Sequence, residues 1–551
     1  MKGRDQTLRA VTNQSFDVCI IGGGATGAGC ALDAQLRGLR TVLFEAGDFA
    51  GATSSVSTKL VHGGIRYLQE AFTDLDPQQY RVVKRSLHER RAMLDNAPFL
   101  AHSIEFLIPC HSLWDRHYYT VGVKLYDWIA GRQNLSPSRY YPRTDVLRRM
   151  ALLSPARLRG TVTYSDGQFD DARYGMVLIN NFEECGGEAL NYGRVVELEK
   201  TNKGKICGVA VEDQLTRQRF AVNARVVVNA TGPFADQLRL MANSKLPGRL
   251  RLSKGVHIVL PLTAENMTNA ILVPKTDDNR VIFAIPWLGR LLVGTTDTEI
   301  APGEEVFVTR EEVDFLLQQL NRYILPPFHR EQIVSAFGGV RPLVSSGVRA
   351  TRKLIRDYEV EMDSESGLIS VLGGKWTTYR AMAEDAINVV QRQLGVPVTS
   401  ALTRQHPLTG SEGYTANYWT TLVRRFSIRP ETARHLAEKY GTRADQLCAL
   451  AQRDSDLQLP LVEGFPAIRA EVAYSVEVEA ALTLEDVLAR RIGLQLFDWK
   501  LAMKAASTAA QIMRPLLGWD EAHTRIAIEE YVARIATAMR RIDLKPYASA
   551  S

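Results

Sequence analysis

Three glycines and a glutamate stand at the spacing that holds a phosphate and a ribose. Gly22, Gly24 and Gly27 form a Gly-x-Gly-x-x-Gly turn after the apolar, β-branched run 17–21, and Glu45 stands eighteen residues beyond Gly27. Gly22 permits a sharp reversal, Gly24 lets the backbone approach a pyrophosphate because no Cβ intervenes, and Gly27 lets the following helix close on the strand. A helix over 25–37 points its first N–H groups at the phosphates. A second strand over 41–44 carries Glu45 at its end, where a carboxylate accepts hydrogen bonds from both hydroxyls of an unphosphorylated ribose. Strand, helix, strand and terminal acid in register predict a dinucleotide site. The spacing alone does not separate FAD from NAD. The Ser/Thr-rich segment 51–58 that follows, with Thr53, Ser54 and Ser57, favours FAD, because such a loop wraps the pyrophosphate and reaches the flavin.

Other residues add to this chemistry. The run 59–68, KLVHGGIRYL, sets His62, Arg66 and Tyr67 around a glycine pair that lets the backbone pass close to something flat or bulky. The strand 224–230 ends in Thr231-Gly232-Pro233 and repeats the geometry of the first turn, so it closes over the dinucleotide from the other side. Backbone amides around Val195, on a strand over 188–200, suit an adenine. The strand 254–259, KGVHIV, carries Lys254 and His257, and 337–343, FGGVRPL, holds Arg341 in a loop-like, glycine-flanked setting with room for an anion. Gly373, Gly374, Lys375, Trp376 and Thr377 follow a strand over 368–372 and open a helix to about 393. That second helix N-terminus is suited to stabilising negative charge.

The elements that position these residues need more than one core. At 551 residues, two or three domains are expected. The net charge of +6 comes without an aromatic-interleaved basic repeat or metal-ligand spacing, so neither nucleic acid nor a metal is expected. It suits an anionic substrate or an anionic membrane surface. The six cysteines are scattered with no CxxC pair, which points to a reducing compartment. The uncharged run 18–32 after Lys2, Arg4 and Arg9 mimics a signal peptide, but the dinucleotide fingerprint within it argues against cleavage. No stretch approaches the ~20 apolar residues needed to span a bilayer. The stretch 112–132 mixes Trp114, Tyr118, Tyr119, Tyr126 and Trp128 with Arg116, Lys124 and Arg132, which suits either a helix lying among lipid headgroups or an aromatic packing helix. A helix over 79–93 reads as a solvated basic face, with Arg81, Lys84, Arg85, His88, Arg90 and Arg91. Asp170 and Asp171 read as a helix start. Antiparallel strands are expected over 271–294 and a linker over 397–413. Helices follow over 430–440, 483–491, 497–513 and 520–541, with Thr483 and Asp486 placed like a capping box.

In order along the chain, FDVCIIGGGATGAGCALDA, SSVSTKLVHGGIRYL, NATGPF, KGVHIV, IPWLGRLLVGTTDTE, GVRPL, LGGKWTTYR and TLEDVLARR resemble the FAD-dependent glycerol-3-phosphate dehydrogenases, from about residue 16 to about 540. The resemblance implies an α/β fold with a Rossmann-like FAD-binding domain of the D-amino-acid oxidase type, a β-rich substrate cap and a C-terminal helical domain. The expected boundaries are 15–95, 160–245 and 350–396 for the FAD domain, 96–159 and 246–349 for the cap, and 405–545 for the helices. The resemblance also implies oxidation of sn-glycerol 3-phosphate to dihydroxyacetone phosphate, with electrons passed to membrane quinone by a monotopic enzyme on an anionic lipid surface. Its place would be the cytoplasmic face of the inner membrane, or the cytoplasm, with a homodimer as the assembly allowed for. Carried over by position, FAD contacts fall on Gly22, Gly24, Gly27, Glu45, Thr53, Ser54, Ser57, Val195, Thr231, Gly232, Gly374, Lys375, Trp376 and Thr377. Substrate contacts fall on His62, Arg66, Tyr67, Lys254, His257, Arg341 and Lys375.

On that reading His257 takes the hydroxyl proton, with Lys254 nearby to lower its pKa and His62 as the competing base. Arg341 polarises the forming oxygen, and Lys375 faces the negative charge of the reduced flavin. Three alternatives stay open at this point: an oxidase of the same substrate that reduces O2 to peroxide, a flavin-bearing RNA-binding or tRNA-modifying protein, and a non-catalytic membrane-associated scaffold.

Overall fold

The computed structural model describes residues 3–64, 77–262, 267–277, 280–345 and 358–545. Arg66 and Tyr67, both expected at the substrate site, lie outside the described residues. Two sheets organise the rest. The first is built on the strand Ser15–Ile21, whose Val18, Ile20 and Ile21 are buried on both faces, as a parallel strand requires. It pairs in parallel with Thr41–Phe44 on one side and Arg219–Asn229 on the other, and the register sets Ile21 level with Phe44 and Asn229. Glu188–Leu190 extends one edge. Ile369–Gly373 and then Tyr358–Met362 extend the other. An antiparallel meander, Gly193–Lys200 and Ile206–Asp213, feeds into Arg219–Asn229. The parallel strands Ser15–Ile21, Thr41–Phe44, Arg219–Asn229 and Ile369–Gly373 all finish at one rim, so the turns that follow them collect there.

Helices Ala25–Leu36 and Tyr379–Leu394 pack against one another beside this sheet. Their approach depends on Gly29, where a Cβ would lie 2.8 Å from Cδ2 of Tyr379. The second sheet is centred on Leu250–Pro261, paired along its length with Ser335–Val344 and along its second half with Arg290–Gly294. It continues through Ile282–Trp287, Ala270–Val273, Ala101–Cys110, Gly160–Phe169 and Leu60–Val61.

Three expectations change here. The boundary at 160 assigns Gly160–Phe169 to the nucleotide-binding unit, but that strand pairs with Ala101–Cys110 over its whole length in the second sheet, as Leu60–Val61 does at its edge. Residues 337–343, expected as a loop, lie inside the strand Ser335–Val344. The glycines there serve close packing, because a Cβ on Gly339 would come 2.9 Å from Val56. On the helix Pro77–Asn96, Arg81, Lys84, Arg85 and Arg91 are exposed, but Arg90 is buried and bonds Asp166 at 2.7 Å, so the basic face is not uniformly solvated.

The C-terminal part is helical, with Tyr418–Phe426, Pro430–Tyr440, Ala444–Arg453, Ala470–Glu477, Trp499–Leu517 and Glu521–Arg541. The expected capping box forms: the Asp486 N–H donates to Thr483 Oγ1 at 3.2 Å, and the Thr483 N–H donates to the Asp486 carboxylate at 3.0 Å. The linker is pinned down where the Asn96 amide donates to the Thr403 carbonyl and the Thr403 hydroxyl to Asp33. Gly29→Ala is expected to push the two packed helices apart and cost about 1–3 kcal/mol, the usual cost of overpacking. A lowered thermal midpoint of the otherwise intact protein would register it, and an unchanged midpoint would contradict the packing role.

Candidate functional site

The rim of the first sheet is a cradle that side chains would fill. Gly22 has φ +107°, and a Cβ on it would sit 2.6 Å from the Ala230 carbonyl oxygen. A Cβ on Gly24 would sit 2.9 Å from Ser54 Oγ, and one on Gly27 would run into the Gly22 carbonyl. The helix Ala25–Leu36 begins at Gly24, which has no side chain to cap it, so the dipoles of its first-turn N–H groups set positive charge at the turn, where an anion is favoured. One of them, Ala25 N–H, donates to Ser54 Oγ at 2.9 Å. Glu45 accepts hydrogen bonds from the Gly23 and Gly47 amides at 2.7 and 2.9 Å. Burial raises its carboxyl above the ordinary range while those amides pull it back. A helix start without an N-cap side chain, a side-chain-free turn and a carboxylate at the next strand end supply the donors for a pyrophosphate and the acceptor for a ribose.

The other expected cofactor residues gather around this cradle. Gly193 N–H donates to the Glu45 carbonyl, which sets the strand of Val195 alongside it. Thr231 donates its N–H and hydroxyl to Asn229 Oδ1, and Gly232, at φ +56°, has nothing within 4 Å of where a Cβ would stand. Gly373 and Gly374, at φ +72° and +91°, turn the strand end into the short turn Trp376–Thr378 that leads into Tyr379–Leu394, and no side chain caps this start. Lys375 stands at the turn, Trp376 donates its indole N–H to the Ser54 carbonyl at 2.8 Å, and Thr377 Oγ1 accepts from the His62 amide at 3.2 Å.

Segment 53–59 carries the chain from this cradle to the second sheet. The Thr53 hydroxyl donates to the Val340 carbonyl at 2.6 Å, the Ser57 N–H donates to Asp171 at 2.8 Å, and Thr58 Oγ1 lies 3.0 Å from Nε2 of His257. Lys59, buried at φ +60°, binds the Asp171 carboxylate and donates to the Ser55 carbonyl at 2.7 Å. Burial raises the Asp171 carboxyl, and Lys59 opposes that rise. Asp171 therefore does more than open the helix Asp171–Glu184. The sequence offers no signal for the pair beyond a lysine after a Ser/Thr run and an aspartate over a hundred residues later.

On the surface of the second sheet His257 and Arg341 share a face with Phe337, since His257 pairs with Phe337 and Ser253 with Arg341. The His257 ring stacks on Phe337 at 5.0 Å. Arg341 donates to Thr295 Oγ1 at 2.8 Å and to the Thr296 carbonyl at 3.2 Å. His257 is buried, and its Nδ1 has no hydrogen-bonding partner among the described residues. Burial, reinforced by Arg341 and Lys59, holds its pKa well below 6.5. Lys254 plays no part in that. Three residues from His257 on a strand, it lies on the opposite face and is taken up by Glu312 and the Phe307 carbonyl, each at 3.0 Å, so its expected place at the substrate is not supported.

His62 stands near this face, with its ring 6.5 Å from that of Phe283. The next residue, Gly63, donates to Tyr126 Oη at 2.9 Å, and Tyr126 with Arg90 binds the buried Asp166. This network was not expected, because its members look like a packing aromatic, a surface arginine and a strand aspartate.

The model of the family described as FAD dependent oxidoreductase matches residues 17–380, and that of the C-terminal domain of alpha-glycerophosphate oxidase matches 401–524. The mitochondrial glycerol-3-phosphate dehydrogenase of Homo sapiens is 38% identical over 531 residues, covering 94% of this chain and 73% of that protein. The probable mitochondrial glycerol-3-phosphate dehydrogenase of Dictyostelium discoideum is also 38% identical, over 94% of this chain and 84% of its own length. Among solved structures, the glycerol-3-phosphate dehydrogenase from Bacillus halodurans complexed with FAD superposes with a TM-score of 0.79 at 29% identity, covering 100% of this chain and 99% of that one. The chain belongs to the FAD-dependent glycerol-3-phosphate dehydrogenases, within the family of FAD-dependent oxidoreductases.

Proposed function

We propose that the protein oxidises sn-glycerol 3-phosphate at C2 to dihydroxyacetone phosphate and passes the electrons to a membrane quinone. The observation that carries this reading is a buried, neutral histidine beside an arginine, on the sheet face tied by segment 53–59 to the FAD cradle. FAD, when bound, supplies the acceptor for the C2 hydride. His257 accepts the C2 hydroxyl proton, with Thr58 holding the ring in place through Nε2. Its depressed pKa keeps it unprotonated before substrate arrives. A phosphate monoester, with a charge of roughly −1.5 to −2, then offsets the repulsion from Arg341 and Lys59 and makes protonation easier. Arg341 presents its guanidinium to the forming C2 oxygen. Lys375 and the uncapped turn after it set positive charge against the electron-rich reduced state.

The same reading places the protein on an anionic lipid surface, at the cytoplasmic face of the inner membrane. No described helix is long and apolar enough to cross a bilayer. The helix Leu113–Ala130 buries Val123, Tyr126, Ile129 and Ala130 and turns Trp114, Val121 and Trp128 outward, 74%, 68% and 70% exposed. With Tyr118 these form one stripe along the helix with Lys124 at its edge, the pattern of a helix lying among headgroups, while Arg116 lies on the other side with its guanidinium over the Tyr140 ring.

His257→Ala is expected to cut turnover by about 10² to 10⁴ with FAD still bound, and near-normal rates of flavin reduction would reject His257 as the base. The histidine also leaves a pH signature. The unfolded imidazole takes up a proton near 6.5 while the buried one does not, so the unfolded state binds more protons and stability falls as pH drops below 6.5. Between pH 6.5 and about 5, the fall in unfolding midpoint should be shallower in His257→Asn than in the parent. Trp114→Ser combined with Trp128→Ser should reduce sedimentation with anionic vesicles. Undiminished sedimentation would refute a lipid-facing role for this helix.

A further inference from the structure

We infer that the C-terminal helical domain latches the FAD-binding loop: docking of residues 479–491 on Asp48 and binding of FAD at Glu45 stabilise one another. The inference rests on FAD occupying the cradle and is independent of the substrate. Asp48 lies three residues past Glu45 in a loop that returns to the pyrophosphate turn, where the Ala50 N–H donates to the Gly23 carbonyl at 3.0 Å. Its carboxylate is buried under two arginines from the other end of the chain. Arg491 grips it with two parallel hydrogen bonds, 2.7 and 2.8 Å, and Arg490 Nε adds a third at 2.5 Å. Burial works against an ionised Asp48, yet the two guanidiniums hold its pKa down to about 2.

The arginines are themselves held in place. Arg491 also donates to the Glu479 carbonyl, and Arg490 pairs with Asp486. Two carboxylates and two guanidiniums thus form a balanced buried set. Asp486 further accepts from the Tyr192 hydroxyl at 2.8 Å, while the Tyr192 N–H donates to the Gly47 carbonyl at 2.7 Å, so the domain reaches the loop by a second path. Asn191 forms a third link, donating its amide to the Ala480 carbonyl and to Asp48. Ala50, Tyr192 and Ala480, none of them glycine, all hold positive φ here, at +55°, +54° and +51°. Such backbone persists only where the surroundings over-determine it.

A buried charge set is a poor general adhesive compared with apolar packing, but it fixes geometry. Here it fixes the loop between the ribose carboxylate and the pyrophosphate turn. Asp48, Arg490 and Arg491 are therefore positioning residues for the cofactor, and thermodynamic linkage requires FAD to tighten the docking in return.

The test uses full-length apoprotein titrated with FAD, followed by flavin fluorescence. Asp48→Asn should raise the Kd for FAD about tenfold and Arg491→Lys, which keeps the charge but loses the fork, by less, as expected when a binding loop loses preorganisation. Arg443→Gln removes a different contact of the helical domain, the pair of Arg443 with Glu184 on the helix Asp171–Glu184, outside the docking segment, and should leave the Kd near that of the parent. In the parent, amide exchange across 479–491 should slow when FAD is added. Parent-like FAD affinity in folded Asp48→Asn and Arg491→Lys, equal weakening by Arg443→Gln, or exchange in 479–491 indifferent to FAD would each overturn the latch. If Asp48→Asn does not fold, Arg491→Lys and the exchange measurement decide. A parent that binds no FAD at all would instead refute the cofactor reading on which the latch rests.

Discussion

The buried ammonium of Lys59, held against Asp171, is the joint on which the arrangement of the two sheets depends. A charge at that depth persists only with a partner and well-placed acceptors, and Lys59 has both in Asp171 and the Ser55 carbonyl. Satisfying it forces the chain through a left-handed residue and fixes the course of the preceding turn. Every useful contact of that turn follows. Ser54 meets the start of the helix Ala25–Leu36, Thr53 meets the strand Ser335–Val344, and Thr58 meets His257. The cradle for FAD and the face that bears His257 and Arg341 are therefore held in one register by a few consecutive residues.

The electrostatics of that face follow from the same joint. Lys59 and Arg341 bring positive charge toward a histidine already deprived of solvent, and all three effects oppose its protonation. The site awaits negative charge, and a phosphate monoester supplies it. Further out the pattern changes sign in purpose: Lys124 borders a stripe of exposed aromatics, where it suits anionic headgroups rather than a buried substrate. A mild overall excess of basic residues is thus divided between a desolvated interior site and a solvated surface.

The first βαβ unit was legible because its signals are local. Glycine positions, helix start and terminal acid lie within thirty residues, and each is a requirement of backbone geometry. Lys254 was misplaced for the opposite reason. Nearness in sequence suggested nearness to His257, but on a strand an odd separation places two side chains on opposite faces, and Glu312 claims the lysine. Gly338 and Gly339 suggested a loop for Arg341, although they lie in a paired strand, where Gly339 makes room for Val56 and Gly338 for Val306. Arg90 read as one basic residue among several on a helix until Asp166, on a strand some seventy-five residues away, took it into the interior.

By itself the sequence determined that a dinucleotide is held at a strand–helix turn, that a helical domain follows an α/β body, and which family the motifs resemble. Those properties depend on short-range backbone constraints and on patterns a few residues long. Tertiary structure alone decided which sheet claims Gly160–Phe169, which cations reach His257, and that Asp48 is gripped by arginines more than four hundred residues later. Buried charges choose their partners by burial and distance in the folded chain, and residue type and spacing carry no record of either.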